Sequence, residues 1–147
     1  MDNKNKIIGF TAGSFDLGPH CGHDLMFEES KAQCDYLIVA LQSDPTLDRP
    51  DTKNKPIQGL FERFIQLRSN KFIDEIIVYE TEADLYILLS SLKIDKRFIG
   101  ADWYEKAFTG HDIPGMLDKT IYNSRNHGYS TSNLRERVTK AENDKLI

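Results

Sequence analysis

Five short apolar runs, each of strand length, alternate with stretches that carry a helical apolar stripe. The runs are KIIGFT (6–11), YLIVAL (36–41), EIIVY (75–79), RFIG (97–100) and TIYN (120–123). Between them, residues 22–33 place Leu25, Met26 and Ala32 on one helical face, although Glu29 shares it. Leu60, Phe61, Phe64 and Leu67 recur at helical spacing, and Leu85, Leu88, Leu89 and Leu92 follow i, i+3, i+4, i+7. A last helix with Leu134 and Val138 follows the hydroxyls of Ser130–Ser132. Continuous apolar strands alternating with helices predict a parallel sheet covered on both faces. The expected architecture is therefore α/β: a Rossmann-like parallel five-stranded sheet in the order 3-2-1-4-5. With no repeat or composition break, residues 1–147 read as a single domain.

In such a sheet, ligands bind beyond the carboxyl ends of the strands, where the strand order reverses. GSFDLGPHCGH (13–23) lies just past the first strand and GADW (100–103) just past the fourth. The reversal brings these loops together. Gly13 allows close backbone approach. His20 and His23, three residues apart at a helix start, face one ligand and can give hydrogen bonds or positive charge to an anion. A second helix start repeats the equipment: Arg125 in SRNHGYSTS (124–132) is a permanent cation, and Ser130, Thr131 and Ser132 add hydroxyls. One polyanion held between two helix N-termini accounts for both segments. Residues 42–58 contain three prolines and form a long loop, a candidate lid.

The net charge of −4 opposes a general nucleic-acid or membrane-surface role. No apolar run approaches the ~18 residues of a membrane span, and the MDNKNK start is not a signal peptide. A cytoplasmic location with free thiols at Cys21 and Cys34 is expected. The His20–Cys21–His23 cluster lacks a partner cluster, so a zinc site is not expected. The spacing of a glycine-rich dinucleotide fingerprint is also missing.

GSFD…HCGH and SRNHGYSTSNL, with DYLIVALQSD, DTKNKP, ERF, KFIDEII and GADW in order between them, resemble the cytidylyltransferases of the nucleotidyltransferase superfamily. Within it the likeness is greatest to the glycerol-3-phosphate cytidylyltransferases. There are departures: Gly18-Pro19 adds one residue before His20, Ala101 stands for an acidic residue, and GHDIPGM (110–116) matches no family pattern.

The resemblance implies transfer of CMP from CTP to a phosphomonoester, most simply glycerol 3-phosphate, giving CDP-glycerol and pyrophosphate. It implies that His20 and His23 stabilise the transition state at the α-phosphorus. Gly13, Ser14 and Phe15 shape the nucleotide loop, and Arg125, Ser130 and Thr131 take the outer phosphates. Lys53 or Lys55 reaches the phosphates or the acceptor, Asp102 and Trp103 lie near base and ribose, and Asp16, Arg63 and Lys71 serve the acceptor. Mg²⁺ would accompany the triphosphate, held by phosphate and water rather than by protein, and the protein would be a homodimer. Two other functions compete: an adenylyltransferase acting on a sugar phosphate, and a nucleotide-binding regulator without catalysis.

Overall fold

The structure, a computed structural model, describes residues 5–146. In chain order the elements are β1 (Ile8–Gly13), α1 (Cys21–Lys31), β2 (Tyr36–Gln42), α2 (Leu60–Arg68), β3 (Glu75–Tyr79), α3 (Glu82–Ser91), β4 (Lys96–Gly100), α4 (Met116–Lys119), β5 (Thr120–Asn123) and α5 (Thr131–Asp144). The five strands form one sheet in the order β3-β2-β1-β4-β5, every neighbouring pair parallel. This is the expected topology.

Boundaries differ where side chains compete with apolar periodicity. The third helix begins at Glu82, ahead of its leucine stripe, because Thr81 and Asp84 cap each other's backbone N–H groups. The first strand runs on to Gly13, which pairs with Leu41. Short 3-10 turns at Pro45–Leu47 and Ala101–Trp103 interrupt the two expected loops.

Three aspartates set the register at the amino end of the sheet. Asp35, Asp74 and Asp95 each stand just before a strand. Their carboxylates accept the N–H of Ile7, Leu37 and Ile8, each 2.8 Å away. In return the backbone N–H groups of Asp35, Asp74 and Asp95 donate to the carbonyls of those same three residues. Each pair closes a two-bond ring that fixes one strand beside the next.

The sheet buries a layer on each face. On one, Phe27 of α1 and Leu67 of α2 pack with Leu37, Val39, Leu41 and Phe98. On the other, Leu85 and Leu89 of α3 and Met116 of α4 pack with Phe10, Ile38, Ala40 and Tyr79. Glu29 does not interrupt the packing of α1; it accepts the N–H of Ser124, while neighbouring Ser30 accepts from Asn123. Both contacts tie α1 to the end of β5.

The loops at the carboxyl end are held from inside. Arg63 is 2% exposed. Its guanidinium donates to the carbonyls of Gln58, Ser14 and Gln42 at 2.7–3.0 Å and to that of Ser43. Asp16, also buried, accepts the N–H of Ile57 at 2.9 Å and of Gln58 at 3.0 Å, and lies 3.7 Å from Arg135 of α5. Neither Arg63 nor Asp16 lines the cleft described below; their backbone bonds join the segments after β1 and β2. Lys71 does not line it either. It precedes β3 at the amino end of the sheet, with its ammonium 5.1 Å from the Phe72 ring.

Two glycines matter for close approach. A Cβ on Gly22 would lie 2.8 Å from the Tyr129 carbonyl oxygen and 3.0 Å from Cε1 of His20. The segment before α5 thus sits directly on the first turn of α1. A Cβ on Gly18 would lie 2.3 Å from Nδ1 of His23, so the residue added before His20 is accommodated only as glycine. The Gly18–Pro19 bond is cis, and Phe15 and Leu17 have left-handed φ of 49° and 54°. Such conformations in non-glycine residues concentrate at functional loops.

Two variants test this construction. Arg63→Met leaves four carbonyls without their charged donor and is expected to cost about 3–5 kcal/mol in urea unfolding. A loss below about 1 kcal/mol would show that the guanidinium is dispensable. Gly22→Ala improves helix propensity by a few tenths of a kcal/mol to about 1. It is nevertheless expected to destabilise by about 1–3 kcal/mol through overpacking, read from the same unfolding curves.

Candidate functional site

The carboxyl ends of β1 and β4 and the N-termini of α1 and α5 enclose one cleft of about 1050 Å³. That volume is at the upper end for small-molecule sites, enough for a nucleotide with room to spare.

His20 is the N-cap of α1. Its Nδ1 accepts the N–H of Gly22 at 3.1 Å and of His23 at 3.4 Å, and Nδ1 of His23 accepts the N–H of His20 at 3.3 Å. The two imidazoles therefore form a reciprocal capping box and stack at 3.7 Å, with 20° between the rings. A ring that accepts at Nδ1 carries its proton on Nε2. His20 Nε2 donates to Oγ1 of Thr131, 3.1 Å away at the start of α5. His23 Nε2 makes no hydrogen bond among the described residues and lines the cleft. Phe15 meets the His23 ring edge-on at 5.1 Å and packs on Phe27, fixing the imidazole from behind.

Burial pushes the pKa of His20 below its usual value; Asp24 opposes the shift, and His127 and Arg125 add to it. Burial, then His20 and Arg125, push His23 down to about 3. Both rings are neutral at neutral pH. In that state they offer N–H donors. Arg125 and Lys53 are formal cations that line the cleft. Ser130 caps α5 by accepting the N–H of Asn133, so two helix N-termini converge on one space.

Of the residues singled out from the sequence, Gly13, Ser14, Phe15, His20, His23, Lys53, Trp103, Arg125, Ser130 and Thr131 line the cleft. Asp102 stands at the rim, with its carboxylate 3.4 Å from Arg125. Lys55 is exposed and does not line the cleft. Four residues near the helix starts and on the opposite wall were not assigned a role from sequence: His127, Tyr129, Arg49 and Arg97. His127 and Tyr129 adjoin the Arg125 motif, and that adjacency was the available signal. Arg49 had none, since an isolated arginine reads as a solvated charge; Arg97 had only its place within the RFIG strand. The described residues contain no group of three or more His, Cys, Asp or Glu able to hold a metal ion.

Similarity to known proteins follows the same lines. The chain is 35% identical to the bifunctional protein HldE of Helicobacter acinonychis over 97% of its length and 32% identical to that of Campylobacter jejuni subsp. doylei over 94%. It spans under a third of those relatives, 29% of each. The solved structure of the lipopolysaccharide core biosynthesis protein from Thermoplasma volcanium superposes with a TM-score of 0.62 at 26% identity, covering 85% of this chain and 99% of that one. The profile of the cytidylyltransferase-like family matches residues 10–137, and the chain belongs to that family.

Proposed function

We propose that the chain transfers a nucleotidyl group from ATP to a sugar phosphate, forming an ADP-sugar and pyrophosphate. The observation that carries the reaction is the meeting of two helix N-termini at the stacked, neutral His20–His23 pair, with Arg125, Ser130 and Thr131 beside it. The similarity to HldE proteins and to a lipopolysaccharide core biosynthesis protein supports a sugar phosphate as acceptor. CMP transfer from CTP to glycerol 3-phosphate is the second reading. It is favoured by the two motifs and by the family description.

In either case an acceptor phosphate oxygen attacks the α-phosphorus in line. The bond from that phosphorus to the bridging oxygen breaks, and pyrophosphate departs. The nucleophile is already an anion, so no general base is required, and the protein's part is positioning and charge stabilisation. Nε2–H of His23 donates to an oxygen around the α-phosphorus as charge builds there, while His20, its own Nε2–H bonded to Thr131, holds the His23 ring by stacking against it. Arg125, with the hydroxyls and free N–H groups at the start of α5, holds the outer phosphates and neutralises the leaving pyrophosphate. Mg²⁺, bound by the phosphates and water, would supply further charge neutralisation.

The test is pyrophosphate release with Mg²⁺ for ATP and CTP, each against hexose and heptose phosphates and glycerol 3-phosphate. Release that needs ATP and a sugar phosphate upholds the reading; release confined to CTP with glycerol 3-phosphate replaces it with the second. His23→Ala removes a transition-state donor and is expected to lower kcat ~100-fold or more while thermal unfolding stays cooperative. Because both histidines act as neutral donors, kcat/KM is expected to rise with the acceptor phosphate's second ionisation near pH ~6 and then stay level to about pH 9. A tenfold fall per unit above pH ~6.5 would mean that an imidazolium is required instead.

A further inference from the structure

Across the strand tips from the histidine pair, on the α3 face of the sheet, the cleft extends into a second arm. Its floor is Arg97, a β4 residue whose Cα pairs with Phe10 on one side and Thr120 on the other. The residue is 5% exposed. Nη1 donates to the carbonyl of Thr109, and the guanidinium lies over the Phe108 ring, 4.8 Å from its centroid. Nε and Nη2 carry no hydrogen bond among the described residues and are not sealed off by protein. No carboxylate lies within ion-pair distance of Arg97 among those residues. Glu82, the nearest in charge, is already engaged by Arg49 at 2.6 Å and by the hydroxyl of Thr109 at 2.6 Å.

A buried cation without a counter-ion is costly unless something supplies oxygens to it. Burial lowers the pKa of Arg97 to about 10, against the pull of Glu82, so it remains charged at neutral pH. Tyr79 lines the same arm, and its hydroxyl has no hydrogen-bond partner among the described residues. The wall above is residues 107–112, which include the start of the stretch with no counterpart in the family pattern.

The direction of the reaction bears on what enters here. In-line displacement puts the acceptor opposite the leaving pyrophosphate. With the outer phosphates at the start of α5, as proposed above, the acceptor belongs on the side of the α-phosphorus away from α5, where the α3 face lies.

We propose that this arm receives the acceptor, and that the free Nε–Nη2 edge of Arg97 takes a pair of oxygens of a sugar phosphate. A planar fork of two N–H groups suits two phosphate oxygens or two neighbouring hydroxyls. The assignment deepens the function proposed above and rests on it for the identity of the acceptor.

The experiment follows the ¹⁵N resonance of Arg97 Nε–H, assigned by its loss in Arg97→Lys. Spectra are recorded with a non-hydrolysable ATP analogue bound and on titration with glucose 1-phosphate, inorganic phosphate or methyl glucoside. A saturable shift with glucose 1-phosphate is the expected result. A matching shift with inorganic phosphate identifies the phosphate oxygens as the partner, and one with methyl glucoside identifies the hydroxyls. Binding of glucose 1-phosphate that leaves this resonance in place, or no binding of any of the three at millimolar concentration, overturns the proposal.

In turnover, Arg97→Lys keeps the charge but loses the fork. It is expected to raise the acceptor KM about 10- to 100-fold and to leave calorimetric nucleotide affinity unchanged. Equal weakening of both would mark a merely structural residue and overturn it as well. If Arg97 responds to sugar phosphate in a protein that never releases pyrophosphate, the transfer reading fails and the site stands.

Discussion

The guanidinium of Arg63 holds together the end of the sheet at which everything chemical is assembled. Four backbone carbonyls, from the segments after β1, after β2 and before α2, converge on it. Without it, the carbonyl of Gln42 would lose its donor in the interior and three part-buried carbonyls would lose theirs, which costs free energy. Asp16 completes the arrangement by accepting two N–H groups from the long loop. Together they make the loop between β2 and α2 an extension of the rigid sheet at its far end, while Lys53 is left exposed at the cleft. At this end of the sheet the scaffold therefore spends one buried cation and one buried anion on joining segments, while Arg125 and Lys53 line the cleft.

The electrostatics of that cleft are local. The chain as a whole is acidic, at −4, and would repel a polyanion at long range. Attraction comes from groups that act at contact distance: two helix N-termini, a neutral imidazole pair whose protons are aimed by backbone bonds, and a few arginines. His20 and His23 are kept uncharged by burial first, with the nearby Arg125 adding to it, while amide protons occupy their Nδ1 atoms. The same bonds that cap α1 thus decide which ring nitrogen faces the ligand.

Much of this was legible in the sequence. Apolar runs and stripes marked all five strands and the longer helices, because burial of apolar surface is what those elements are for. The site segments were legible because helix starts that bind anions need particular residue types at short spacing. Arg49 and Arg97 were given no role from the sequence, and for one reason. A charged residue reads as solvated until the tertiary structure shows carbonyls, amide protons or a cleft around it. Arg97 lies within RFIG, where the expected strand should have made an inward-facing cation conspicuous. Lys71 was assigned from motif position alone, and position along the chain does not say at which end of the sheet a residue falls.

The bond from His20 to Thr131 joins residues 111 positions apart. During synthesis the amino-terminal strands emerge and pair first, and the aspartate rings can close in turn as β2, β3 and β4 appear. The anion site cannot exist at that stage. Its second half, from Arg125 to Thr131, follows the last strand of the sheet. A nascent chain therefore acquires most of its sheet before the two helix starts can meet, and the His20–Thr131 bond marks the docking of the carboxyl-terminal segment.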